Sequence, residues 1–162
     1  MNHDHDSENS EITDYQVSQF QALLAKLFEC CRDRHKYQSE KFSLPDAELR
    51  CLMLFGRERY LTPKGIAQQM GVAKSRVSRI VDHLEKRGLV QRIKDPEDSR
   101  FSLLSLTQDG QKKLDEIKKF IYTVHLEILL RVIPEQRKTL LASLDILSAS
   151  LEEVKELMCQ AG

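Results

Sequence analysis

The run IAQQMGVAKSRVSRI, from Ile66 to Ile80, places tighter demands on the fold than any other part of the chain. Two helices that cross steeply through a short turn need three things: a small residue where they touch, a residue at ease with positive φ in the turn, and apolar positions that lock the pair. Ala67 is the small contact, and Gly71, four residues on, is the turn. Ile66, Met70, Val72, Val77 and Ile80 fall at the interlocking positions. All seven conditions are met together, which predicts a helix–turn–helix. An α-helical corner with no nucleic-acid role would satisfy the same geometry, so the character of the second helix decides between them.

That second helix carries Val77, Ile80, Val81 and Leu84 on its apolar side and Lys74, Ser75, Arg76, Ser78 and Arg79 in its N-terminal half. In a helix–turn–helix the N-terminal half of the second helix faces the major groove of DNA. Arginine makes bidentate contacts to guanine O6 and N7, and serine serves phosphate or base. Arg76 and Arg79 are therefore expected at base edges or neighbouring phosphates, with Lys74 and Ser75 at phosphates. Lys86 and Arg87 lie near the C-terminus, where cations complement the helix dipole without any further role.

The charge distribution agrees. The 162 residues are formally neutral, with 25 basic and 25 acidic side chains, but the balance is uneven. Residues 1–14 carry Asp4, Asp6, Glu8, Glu11 and Asp14 and no Lys or Arg. Residues 64–94 carry eight basic side chains against Asp82 and Glu85, a net +6. One strongly basic segment in a neutral chain points to a local polyanion site.

Outside this unit the pattern is helical. In residues 12–42, Val17, Phe20, Leu24, Leu27 and Cys31 recur at spacings of three and four, a single apolar stripe. Ser43-Leu44-Pro45 breaks it, and a short helix follows over 46–57. Thr62-Pro63 reads as an N-cap and first helical residue, and Gly71 and Gly88 suit left-handed C-caps. LVQRIK and FSLLSL, joined by DPEDSR, read as a β-hairpin. Thr107 then caps a helix bearing Leu114, Ile117, Ile121, Val124 and Ile128. Pro134 opens a last one bearing Leu140, Leu144, Leu147, Leu151, Val154 and Met158, again a coiled-coil rhythm. The expected fold class is mainly α with a small β-hairpin wing: a winged helix–turn–helix flanked by long dimerisation helices. The expected divisions are an acidic disordered tail at 1–11, an N-terminal dimerisation helix at 12–42, the DNA-binding unit at 43–106 and C-terminal dimerisation helices at 107–162.

On the hairpin, Arg92, Lys94 and Arg100 are further candidate DNA contacts. The loop also holds Asp95, Glu97 and Asp98, which suits DNA only if Asp98 orients the Arg100 guanidinium towards the minor groove. No Ser/His/Asp set, phosphate loop or paired carboxylates stand in a plausible site, so no enzyme is expected, and no cofactor. No apolar run approaches the roughly 20 residues of a membrane span, and the polar N-terminus is no secretory signal, which makes the cytoplasm the expected location. The four cysteines, Cys30, Cys31, Cys51 and Cys159, have no metal-knuckle spacing and read as reduced packing residues. His35, Glu40, His83 and His125 form no diagnostic metal set either.

From Leu44 to Leu114 the chain resembles the MarR family of bacterial transcriptional regulators, most specifically in VSRIVDHLEKRGLV, DPEDSR and LSLTQDG. The resemblance implies a homodimer with a winged helix–turn–helix in each subunit, bound to a pseudo-palindromic operator in double-stranded DNA. It implies that Lys74, Ser75, Arg76, Ser78 and Arg79 belong to the recognition helix, and that Asp98 and Arg100 are the wing pair. It also implies a repressor released by a small effector, often an aromatic acid, for which Phe20, Phe28, Tyr37, Phe42, Phe55 and Phe120 are candidate pocket residues. Two other functions fit the same fold: a redox regulator switched at Cys30 or Cys31, and a protein-interaction module that never touches DNA. Ala73 departs from the family by standing where a Ser-type N-cap is common, Arg76 where a small hydroxyl residue is, and Ser99 where a wing Arg is.

Overall fold

A computed structural model describes residues 12–94 and 102–160. The elements follow the expected order: α1 (Asp14–Phe42), α2 (Asp46–Leu54), α3 (Pro63–Met70), α4 (Lys74–Lys86), β1 (Val90–Lys94), β2 (Ser102–Leu106), α5 (Gln108–Leu130) and α6 (Pro134–Gln160). The acidic tail and the wing tip, with Asp98 and Arg100, lie outside the described residues. The chain divides into two compact units, residues 1–110 and 111–162.

Local chemistry sets most boundaries in the first unit. Thr13 and Gln16 form a reciprocal capping box at the start of α1, which satisfies two otherwise orphaned backbone donors. The helix stops at Ser43, which turns left-handed (φ 52°) just ahead of Pro45. α2 is shorter than its sequence pattern suggests: Phe55, Gly56 and Arg57 donate to carbonyls three residues back, tightening the chain out of the α-helix. Thr62 Oγ1 accepts from Gly65 N to cap α3, and Pro63 occupies its first position. Gly71 (φ 65°) and Gly88 (φ 70°) end α3 and α4 in the left-handed region as anticipated.

The core gathers around the helix–turn–helix. Leu52, Ile66, Val77, Val81, Leu84 and Leu104 are all but fully buried, so the apolar stripe of α4 faces inward. β1 and β2 pair antiparallel, with Val90 opposite Leu106 and Arg92 opposite Leu104. Leu61, between α2 and α3, adds a bridge to Leu104 through two backbone hydrogen bonds of 3.0 and 2.8 Å, a third rung that no sequence pattern announces. It fixes the hairpin to the residues that lead into α3.

In the second unit, Arg137 of α6 donates through Nε to the carbonyls of Leu129 and Val132, both at 3.0 Å, and so caps the end of α5. Along α1 and α6 the apolar stripes predicted from spacing are largely open, with Val17, Phe20, Leu27, Leu144, Leu151, Val154 and Met158 exposed in the single chain, whereas on α5 Leu114 and Ile117 are buried and Ile128 is exposed. Among the described residues no helix is long and apolar enough to cross a membrane.

Candidate nucleic-acid interface

α4 separates its two chemistries cleanly. Val77, Ile80, Val81 and Leu84 are buried, while Lys74, Ser75, Arg76, Ser78 and Arg79 are all exposed, in the helix's first two turns. None of the cations in this group makes an ion pair among the described residues, in contrast with Arg87 and Arg92. Pairing an exposed cation in the free protein would have to be undone before it met a phosphate, so open donors suit a polyanion surface. Ala73 stands at the N-cap with extended backbone (φ −65°, ψ 148°) and no side-chain hydrogen bond to the first turn. That turn keeps unsatisfied N–H groups and partial positive charge.

Beside this face runs a groove of about 460 Å³, lined by Pro45, Ala47 and Glu48 of the α1–α2 junction and by Ser75, Arg76, Arg79, Ile80 and His83 of α4. At its floor lies an arrangement that sequence reasoning missed. Glu48 is 3% exposed. His83 Nδ1 lies 3.1 Å from its Oε1, and Arg87 Nε lies 3.4 Å from its Oε2. Arg87 Nη1 also donates to the Ser43 carbonyl at 2.8 Å. Arg87 is thus engaged with specific partners instead of merely complementing the helix dipole. The only sequence hint was that His83 and Arg87 are four apart and share a face of α4. One turn along α2 from Glu48, the buried Cys51 thiol is pushed up to about 12, first by burial and then by the nearby carboxylate.

Arg92, expected at DNA, also has partners within the protein. On β1 its guanidinium reaches back to α4, with Nε 2.8 Å from Glu85 Oε2 and Nη2 2.6 Å from Asp82 Oδ1. The hydrogen bond to Glu85 is the largest influence holding it above the usual arginine range, and both carboxylates add attraction. A guanidinium bonded to two carboxylates braces the hairpin against α4. Lys94 ends β1 opposite Ser102, while Asp98 and Arg100 lie outside the described residues.

The six aromatic pocket candidates do not form one set. Phe20 and Phe42 stand 22 residues apart on α1, about 33 Å at 1.5 Å per residue, which is too far for one small-molecule pocket within a chain. Phe55 is 7% exposed and belongs to the core of the first unit. Phe28 and Tyr37 are exposed, and Phe42 and Phe120 are half-buried. A second, more polar groove of about 600 Å³ lies between α1 and α2, lined by Arg32, His35, Lys36, Ser39, Glu40, Asp46 and Arg50, none of them aromatic. Among the described residues no three His, Cys, Asp or Glu side chains gather as a metal site. Cys30, Cys31 and Cys159 are exposed and unbridged, and Cys51 is buried.

Residues 42–100 match a protein-family model described as the MarR family. The HTH-type transcriptional regulator YfiV of Bacillus subtilis is 31% identical over 120 residues, 72% of each chain. The HTH-type transcriptional repressor MdtR of the same organism is 31% identical over 104 residues, 64% of this chain and 67% of that one. Among solved structures, a MarR family protein from Bacillus stearothermophilus superposes with a TM-score of 0.78 at 18% identity, covering 87% of this chain and 99% of that one. Streptococcus pneumoniae FabT, solved in complex with DNA, superposes with a TM-score of 0.75 at 18% identity, covering 83% and 99%.

Proposed function

The chain belongs to the MarR family of transcriptional regulators, and on that premise we propose that it is a homodimeric repressor released from a pseudo-palindromic operator by a small-molecule effector, an aromatic acid in the simplest case. The observation that carries the reading is the unpaired row Lys74, Ser75, Arg76, Ser78 and Arg79, presented on a helix whose opposite side is locked into the core. It has the donors for base edges and phosphates and no competing ion pairs among the described residues. The open apolar stripes of α1 and α6, with Ile128 near the end of α5, are the surfaces a second copy would cover. In such a dimer two α4 helices enter successive major grooves about 34–36 Å apart. An effector that favours another spacing weakens DNA binding through its differential affinity for the two states. Acting on chromosomal DNA places the protein in the cytoplasm. The name of MdtR as a repressor supports the direction of control, and the DNA complex of FabT supports the mode of binding.

The test is selection from a pool of short random-sequence duplexes, followed by fluorescence anisotropy on the winners. The reading expects a two-fold-related consensus and a steep salt dependence. Arg76→Ala and Arg79→Ala should each cost about 1–3 kcal/mol of operator affinity where they touch bases, or lower the salt slope by about 1 where they touch phosphate. No enrichment and a flat salt slope would instead support a protein-interaction module. The exposure of Cys30 on α1, off the stripe containing Cys31 that a second copy would cover, favours a second form of release, by thiol oxidation. It requires peroxide to weaken operator binding in the parent and not in a Cys30→Ser/Cys31→Ser variant.

A further inference from the structure

The first turn of α4, from which the reading side chains project, has no side-chain cap, whereas its last turn is tied to two other elements. His83 and Arg87, four residues apart and on one face, both approach Glu48 of α2. A carboxylate 3% exposed is costly to leave without a cation, and the side chains that approach Glu48 among the described residues, His83 and Arg87, both come from α4. The Arg87 guanidinium simultaneously holds the Ser43 carbonyl, where α1 ends. One side chain thereby joins α1, α2 and α4.

We propose that Glu48 and Arg87 are positioning residues for DNA recognition: they set the angle of α4 from its C-terminal turn, and neither touches DNA. The proposal rests on the reading that α4 enters the major groove. Its mechanical basis is leverage. Arg76 lies eleven residues before Arg87, about 16 Å along the helix, so a tilt of about 5° at the last turn moves it by about 1.4 Å. A displacement of that size takes a bidentate arginine out of hydrogen-bonding range. Glu48 and His83 line the same groove as Ser75, Arg76 and Arg79, so the tie acts on the wall that the reading side chains occupy. Because Ser43 closes α1, a movement of that helix is transmitted to α4 through Arg87.

Glu48→Gln and Arg87→Gln distinguish positioning from contact, since simple electrostatics gives the opposite sign for the first. Removing a carboxylate beside the DNA-facing groove should leave DNA binding unchanged or tighter if only charge matters. The probes are the duplex most enriched by the parent protein and a shuffled duplex of the same composition, read by anisotropy over a salt series, with melting temperature recorded for each variant. The expected result is that each variant lowers the ratio of selected to shuffled affinity by about tenfold, with the salt slope unchanged. The double variant should lose no more than the worse single one, because both break the same tie. The proposal is overturned if folded Glu48→Gln keeps the parental ratio, or if Arg87→Gln lowers the salt slope by about 1, the mark of a phosphate contact. If Glu48→Gln does not fold, Arg87→Gln decides alone, since its side chain is 45% exposed and its loss is tolerable to the core. A parent protein that enriches no sequence overturns the DNA-reading proposal, and this inference falls with it. A parent that enriches one while both variants keep the ratio overturns this inference alone.

Discussion

Gly110→Ala should destabilise the protein, against the ordinary rule for glycine in a helix. Replacing helical glycine by alanine normally stabilises by about 0.5–1 kcal/mol, because alanine has the better propensity and a less flexible unfolded state. Gly110 sits in the first turn of α5, its N–H donating to Thr107 Oγ1 at 3.0 Å. A Cβ built there falls 1.9 Å from the Leu89 carbonyl oxygen, 2.8 Å from its carbon and 3.2 Å from its Cα. These are backbone atoms that cannot swing aside. Leu89 is buried, donates to the Leu84 carbonyl at 2.9 Å and accepts from Thr107 N at 3.1 Å. Reaching an ordinary contact requires a separation of roughly 1.5 Å between α5 and the Gly88–Leu89 corner. Overpacking of this kind costs about 1–3 kcal/mol, and losing the Thr107–Leu89 hydrogen bond about 1 more. After the propensity gain the net loss is about 1–3.5 kcal/mol, or about 2–14 °C in melting temperature for a chain of this size. Far-UV circular dichroism on heating measures it. Gly65→Ala is the matched control, because its Cβ meets only the Thr62 hydroxyl at 3.2 Å, and it should stay within about 1 kcal/mol of the parent. A Gly110→Ala protein that melts at or above the parent would refute the packing argument.

Ala73→Ser should supply the missing N-cap of α4 and stabilise by about 1 kcal/mol in denaturant unfolding. Arg92→Gln should cost about 1 kcal/mol or less, because its ion pairs with Asp82 and Glu85 are partly exposed. It should also leave the salt slope of DNA binding unchanged, whereas a slope reduced by about 1 would return Arg92 to the phosphate contacts. Cys51 should resist thiol reagents in the native protein, so that Ellman's reagent titrates its thiol only on unfolding. Its folded pKa, about 12, lies above the ordinary 9.0, so the unfolded state releases the proton first. Stability should therefore fall between about pH 9 and 12, by up to about 1.4 kcal/mol per unit. Cys51→Ala should show a shallower decline over that range in pH-dependent urea denaturation.

Much of the fold is written locally, and for that reason was legible without coordinates. Gly71 and Gly88 end helices because a residue without Cβ enters the left-handed region at little cost. Thr62-Pro63 starts one because the hydroxyl accepts a free backbone N–H. The seven positions from Ile66 to Ile80 lie within fifteen residues, so periodicity alone was enough to place the buried side of α4 and leave Lys74 to Arg79 outside. What tertiary structure alone decided are contacts between residues distant in sequence, whose pairing depends on how the helices cross. Glu48 meets His83 from 35 residues away, Leu61 pairs with Leu104, and Gly110 lies against Leu89 across the whole wing. Arg87 looked like a cation at a helix end and proved to be the link joining α1, α2 and α4, while Arg92, expected at DNA, was also found to brace the hairpin against α4. A charged side chain's type announces that it will seek a partner; only the packing of the helices determines which partner lies within reach.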